Sequence, residues 1–484
     1  MFPPVSSSVK PVFQLSALFV SAGAYGWLAY ATPRFSFEQL LLLFALAFGA
    51  YVALLKSGLA LRWGLLAALL LRLLWLPALP ALSDDYHRFR WDGLLFTQQV
   101  NPYQYRPDEL VETSSPAAPL ALQAAVPELV QPIIGQLAEL YPRLNSPQYY
   151  SVYPPVCQAA FGVAAWLFPT SERGFVLVLR LLILLAEAAT TGLLLALLRR
   201  FGQPPQRALW YLLNPLVIVE LTGNLHFEAL VTNFLLLMLW LLARGRAATA
   251  GAALALAVAT KLLPLLVLPL LLRRLGWRPA GWFGAGLLVT LALLFGPFLS
   301  LELLENIGRS LNLYFRNFEF NASFYYLLRA AGQWYTGYNQ IARIGPALAL
   351  VVALGGLLLA RTEWRPTWAT LPHALLLLLT LYFLLATTVH PWYLTPLVAL
   401  SVFTRARYAL VWSGMAVVSY AAYRTTAYTE NLGLVALEYS VVLLTVVLDT
   451  SQGRLSPQPT GPLTTAESGT ATESGAVGRA AGAL

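Results

Sequence analysis

Six ionisable side chains crowd into nine residues of an otherwise apolar chain: Asp84, Asp85, His87, Arg88, Arg90 and Asp92. Charge is costly in hydrocarbon, so such a cluster at the edge of a membrane span is placed for work. Similar groups recur further along: the run NSPQYYSVYPP at 145–155, GNLHFE at 223–228, Lys261, YFRNFEFNAS at 314–323, and HPWY at 390–393. Carboxylates, cations and aromatic faces near a membrane surface suit one job well, the movement of a sugar from a lipid phosphate carrier onto an acceptor hydroxyl.

That chemistry needs few parts. A carboxylate must lie within hydrogen-bond reach of the acceptor hydroxyl and take its proton as the oxygen attacks the anomeric carbon. The Asp84/Asp85 pair offers one. The departing lipid phosphate needs a cation rather than a strong acid, and Lys261, Arg88 and Arg316 are the candidates. Candidates for contact with the sugar or acceptor are Tyr86, His87, Trp91, Asn101, Tyr103, Tyr153, Asn224, His226, Glu228, His390, Trp392 and Tyr393, since aromatic rings offer flat apolar faces and sit well at the interface. One base acting opposite the leaving group inverts the anomeric centre. No metal or other cofactor is required, although four histidines do not by themselves exclude a divalent ion.

The elements that must carry these residues are membrane spans. Of the 484 residues 58% are hydrophobic and 11% charged, far from the soluble norm of about a quarter charged. Apolar runs of about 20 residues recur up to Asp449, which predicts an all-α polytopic protein of about 13–14 transmembrane helices. The formal charge of +9 comes as small groups between spans, not as a nucleic-acid-binding stripe. With Lys10 in the cytoplasm, the pairs at 56/62, 199/200, 244/246, 273/274, 361/365 and 405/407 all fall on that side, the positive-inside pattern. The third span, 59–82, then delivers the acidic cluster to the outer face of the cytoplasmic membrane. Residues 83–172 read as a large extracytoplasmic catalytic loop with interfacial helices, and the short apolar run 156–168 as one of them. Two half-length segments flank Lys261 like a broken hairpin. Residues 1–449 form one domain, and 450–484, rich in Ser, Thr, Gly and Ala, read as a disordered cytoplasmic tail. The first apolar run is too long for a cleaved signal and reads as a retained helix. One cysteine, Cys157, allows no internal disulfide.

A resemblance fits these residues. The pattern D-x-x-R-x-x-W-D-G at Asp85, Arg88, Trp91, Asp92 and Gly93, with N-P-Y at 101–103 and Y-P-P at 153–155, resembles the bacterial and archaeal polyprenyl-phosphate-mannose-dependent mannosyltransferases of the GT-C superfamily. GNLHFEAL, ATKLLPLL around Lys261 and HPWYL are similar to further segments of those proteins. The resemblance implies a catalytic aspartate in the first large outer loop, a role that falls on Asp85 with Asp84 as the alternate. It also implies a polyprenyl-phosphate sugar donor, a lipid- or glycan-linked acceptor, and mannose as the sugar. Where those proteins most often have tyrosine before the arginine, this chain has His87.

Plainer readings compete residue by residue. The charges at 84–92 can cap a helix and pair among themselves, Lys261 can snorkel to the interface, and single aromatics can belong to the interfacial belt. Glu187 and Glu220 are expected to pair locally, Glu187 with Arg180. At the level of the whole chain, a secondary transporter or lipid flippase is the competing function, with a ligase or polymerase of lipid-linked glycans as the third.

Overall fold

The computed structural model describes residues 10–114, 128–300, 305, 306, 308, 318–363, 365–425 and 428–455. The described residues are 74% helical, and among them the β-type contact is a bridge between Phe320 and Thr388. Among the described residues six helices are long and apolar enough to cross a bilayer: Lys10–Tyr30, Phe37–Lys56, Glu172–Arg200, Trp277–Phe298, Ile341–Thr362 and Leu432–Ser451. Their outward faces carry side chains such as Trp277 and Leu293, 79% and 72% exposed, which suits lipid and would be a liability in water.

The thirteen or fourteen crossings expected from hydropathy are not all long helices, because several apolar runs are short or interrupted. The run 59–82 is helical only over Leu61–Leu73 before Pro77 and Pro80. The run 391–404 opens as a 3-10 turn, Pro391–Leu394, and 408–424 passes from α-helix to 3-10 helix at Ala416. At 207–222 the Asn214–Pro215 pair restarts the helix, with Asn214 Oδ1 accepting from Leu216 N at 3.0 Å. Proline removes a donor and clashes with the preceding turn, so hydropathy alone overstates helix length there. The expected outer loop is largely helical among its described residues, including Asp85–Thr97 and Pro155–Leu167. Of the expected tail, residues 450–455 finish the last helix, where Arg454 pairs with Asp449 at 3.1 Å; 456–484 lie outside the described residues.

Polar groups collect at two opposite ends of the helices. At one end the arginine-rich turns cap one another: Arg207 donates to Thr404 O at 2.6 Å, and Arg274 pairs with Glu363 at 2.5 Å. At the other lie Arg34, Asp84, Glu172, Glu228 and His390. The helix Glu172–Arg200 runs from the second end to the first.

Between Pro215–Gly223 and Glu228–Ala243 the chain turns through 113°. Ile218–Gly223 is a π-helical turn, and Leu225 follows in the left-handed region at φ +65°. Broken backbone inside a membrane protein must find partners within the protein. Arg180, wholly buried, supplies them: its guanidinium donates to Thr222 O at 2.8 Å, Gly223 O at 3.0 Å, Leu76 O at 3.0 Å and Ala78 O at 2.5 Å. Arg180 is therefore not the partner of Glu187, as expected from sequence. Glu187 instead pairs with Arg72 at 2.8 Å and accepts from Tyr211 Oη at 2.7 Å. Arg180 and Glu187 share the helix Glu172–Arg200, whereas Arg72 comes from Leu61–Leu73, a partner that one-dimensional spacing cannot reveal.

Elsewhere small residues allow backbone contact. A Cβ on Gly286 would stand 1.9 Å from Ala248 O, and one on Gly251 2.0 Å from Phe283 O, so Ala247–Val258 and Trp277–Phe295 pack backbone to backbone.

Replacing Glu187 by Ala leaves the Arg72 guanidinium buried without its counter-charge, and the expected loss is about 3–5 kcal/mol. Thermal unfolding in detergent would register it, and the apolar double variant Arg72→Met/Glu187→Leu is expected to recover most of the loss.

Candidate active site

Asp85 begins the helix Asp85–Thr97, with Asp84 in the capping position. Asn145, from the loop that follows Tyr141–Arg143, bridges the two carboxylates: its Nδ2 donates to Asp84 Oδ1 at 3.0 Å and to Asp85 Oδ1 at 2.8 Å. Arg34, from the turn between the first two helices, pairs with Asp84 Oδ2 at 3.0 Å. Asp85 has no ion-pair partner among the described residues and is half-buried. Burial pushes its carboxyl up from the ordinary value, the charge of His226 pulls it down, Asp84 pushes it up, and the Asn145 hydrogen bond and Arg34 pull it down.

The facing wall is an aromatic column. His226 stacks on Trp392 with centroids 3.8 Å apart, Trp392 on His390 at 4.4 Å, and His390 on Phe320 at 4.7 Å. Phe320 tilts against Tyr423 at 5.9 Å, and Arg34 lies 4.6 Å over the Tyr423 ring. The column thus closes a circuit back to Asp84. His226 is placed by the bend after Gly223, its Nε2 3.4 Å from Glu220 Oε2; Asn224 Nδ2 and Tyr420 Oη also donate to Glu220, at 3.0 and 2.8 Å. Glu228, first residue of the next helix, holds Lys261 in an ion pair. The Lys261 ammonium lies 3.4 Å over the Tyr393 ring, and Tyr393 meets His390 edge-on at 5.3 Å. Burial first, then the charges of Lys261 and His226, push the His390 imidazole down to about 3.

The structure therefore brings together Asp84, Asp85, Asn224, His226, Glu228, Lys261, His390, Trp392 and Tyr393. Other expected site residues stand behind this group. Arg88 pairs with buried Asp92 at 2.9 Å and donates to Tyr149 O at 3.0 Å, while Asp92 also accepts from Ser151 and, at 3.0 Å, from Gln158. This network pins the 145–151 loop that presents Asn145. Trp91 is wholly buried. Tyr86 Oη donates to Glu172 at 2.9 Å, and the His87 ring lies tilted against Tyr86 with its Nδ1 3.6 Å from Glu172. Asn101 stabilises its own turn by accepting from Tyr103 N at 3.1 Å; Tyr103 Oη donates to Tyr153 O at 2.6 Å, and the Tyr153 ring packs edge-on to Phe89. Arg316 lies outside the described residues.

Several members of the site escaped the sequence reading. Arg34 carried a signal, since it is a basic residue on the side that the positive-inside pattern leaves poor in cations. Phe320 falls within the run 314–323 picked out above, but nothing in the run marks this ring over its neighbours. It is held by a strap: Phe320 N donates to Thr387 O at 3.0 Å, and Val389 N to Phe320 O at 2.8 Å. Asn321 follows at φ +47°, its N donating to Glu430 at 2.6 Å and its Nδ2 to buried Glu438 at 3.2 Å. Among the described residues no three His, Cys, Asp or Glu side chains gather as a metal-ligand set.

Flat rings beside a carboxylate that lacks a salt bridge are what a sugar-transferring enzyme offers a pyranose, and the apolar helices beneath place that enzyme among the multi-pass membrane proteins. Residues 14–275, more than half of the chain, match the family described as alpha-(1->6)-mannopyranosyltransferase, N-terminal domain, and the chain belongs to that family. Its activity is accordingly mannosyl transfer. No curated protein matches the chain. The matched span includes Asp84, Asp85, His226, Glu228 and Lys261, whereas Phe320, His390, Trp392 and Tyr393 lie beyond it.

With its imidazole held so low, His390 is expected to stay neutral from pH 5 to 8. Nitrogen NMR of the histidine-labelled protein would show one ring that does not titrate in that window, absent from the spectrum of His390→Gln.

Proposed function

We propose that this chain is an inverting mannosyltransferase that draws mannose from a polyprenyl phosphate and places it on an acceptor hydroxyl at the outer face of the cytoplasmic membrane, with Asp85 as general base. The observation that carries this reading is the Asp85 carboxylate, half-buried and without a salt bridge, across from the His226–Trp392–His390 column. A carboxyl raised by burial is a stronger base than an exposed one.

In the step we propose, the acceptor O–H bond breaks and its proton passes to Asp85. The acceptor oxygen bonds to the mannose C1 as the C1–O bond to phosphate breaks, and that bond's electron pair leaves with the lipid phosphate. Lys261 is the cation suited to meet the growing phosphate charge. It is held by Glu228 and Tyr393 at the same end of the bundle. A single displacement inverts C1, so an alpha-(1->6) product of the kind in the family description would call for a β-linked mannosyl phosphate. The acceptor is then a lipid- or glycan-linked sugar bearing a primary hydroxyl. The outer-face assignment is supported by the arginine-rich turns at the opposite end of the helices, since such turns favour the cytoplasmic side. The single-domain reading of 1–449 is supported by the strap at 318–321 and the HPWY segment, which complete a wall that the first half begins.

Purified protein given synthetic polyprenyl-phosphate mannose and a mannoside acceptor should release polyprenyl phosphate, identified by mass spectrometry. Asp85→Asn is expected to lower turnover by about 10²–10⁴-fold with donor binding retained; undiminished turnover would reject the assignment. Lys261→Gln is expected to cost about 10²–10³-fold and to weaken donor binding as well.

A further inference from the structure

We propose that Arg34 is a positioning residue that divides the labour of the neighbouring aspartates, holding Asp84 in an ion pair so that Asp85 alone is open to receive a proton. The inference rests on the reading of Asp85 as general base and adds to it a residue and a reason for the choice between the two acids.

The oxygens make the case. Asp84 Oδ2 accepts from Arg34 Nη2 at 3.0 Å, and Asp84 Oδ1 from Asn145 Nδ2 at 3.0 Å. Asp85 Oδ1 accepts from the same amide at 2.8 Å. Asp85 Oδ2 has no hydrogen-bond donor among the described residues. Although Asp84 occupies the capping position of the helix, its side chain makes no cap hydrogen bond, so its orientation is set by Arg34 and Asn145. Arg34 is itself fixed, its guanidinium 4.6 Å over Tyr423 and 5.8 Å from the Tyr428 ring, with Nη2 3.3 Å from Tyr428 Oη. The pair is part-buried, at 22% and 28% side-chain exposure, so it is screened less than a surface ion pair.

Two carboxylates side by side compete for ionisation: one charge raises the proton affinity of the other. Arg34 offsets part of the Asp84 charge as Asp85 feels it. The charged and titratable groups facing Asp85 are Asp84, Arg34, His226 and Tyr423, with the neutral amide of Asn145 between the acids. Loss of the Arg34 cation exposes Asp85 to an uncompensated neighbour and raises its proton affinity. Loss of the Asp84 charge leaves Arg34 unopposed and lowers it. A residue that merely props up the fold would not produce shifts of opposite sign.

The test reads Asp85 directly and needs no substrate. In protein reconstituted into lipid nanodiscs, the protonated-carboxyl infrared band, taken as the difference from Asp85→Asn, is titrated against pH. Arg34→Gln is expected to move the midpoint up by about one pH unit and Asp84→Asn to move it down by about one. The double variant is expected to return close to the starting value, and Arg34→Lys to remain close to it. The acid limb of kcat/KM should follow the same order. Midpoints that do not move, or that move in the same direction in both single variants, would overturn the proposal, and should Arg34→Gln fail to fold, Asp84→Asn and Arg34→Lys still decide it. The two readings fail separately: Asp85→Asn with full turnover removes the general base, whereas inactive Asp85→Asn with unmoved midpoints removes only the role of Arg34.

Discussion

Backbone polar groups cannot stay unpaired away from water, and this fold depends on how that demand is met around Arg180. The chain bends by 113° after Gly223, inside an apolar bundle, and the carbonyls released there are taken up by one guanidinium that also binds two carbonyls of the segment after Leu61–Leu73. A buried arginine without a carboxylate partner would ordinarily be costly. Here its donors are spent on peptide oxygens that would otherwise be orphaned. The bend brings Asn224, His226 and Glu228 to the end of the helices where Asp85 stands, so the geometry of the candidate site depends on a side chain that lies outside it.

The site is also a joint product of the two halves of the chain. The family match ends at residue 275, yet the rings that face His226 come from beyond it. Stacked rings hold their separation because dispersion and quadrupole terms favour offset, near-parallel planes. Phe320, His390, Trp392 and His226 make such a column from three separate stretches of sequence. The short bridge between Phe320 and Thr388 and the Asn321 contacts to Glu430 and Glu438 keep the far end of the column in register.

Electrostatically the site is graded. Its imidazole, carboxylate and ammonium groups meet different burial and different neighbours. The His390 imidazole lies between Lys261 and His226 and is held neutral, while Lys261 has Glu228 as its counter-charge. A neutral ring in the column can offer a face to a sugar without repelling the ammonium beside it.

The sequence by itself determined the class of fold, through long apolar runs. It also picked out the Asp84/Asp85 pair and the broken hairpin at Lys261, because a charge or proline in an apolar run is a local event that composition records. Tertiary structure alone decided that Arg88 holds the 145–151 loop through Tyr149 O, that Glu187 answers Arg72 rather than Arg180, and that Arg34 reaches Asp84 across 50 residues. Those partnerships depend on which faces of separate helices meet, and on where broken spans change direction. Hydropathy reports how apolar each residue is but not the angle at which its helix is rotated, so the partners became visible only once the helices were packed.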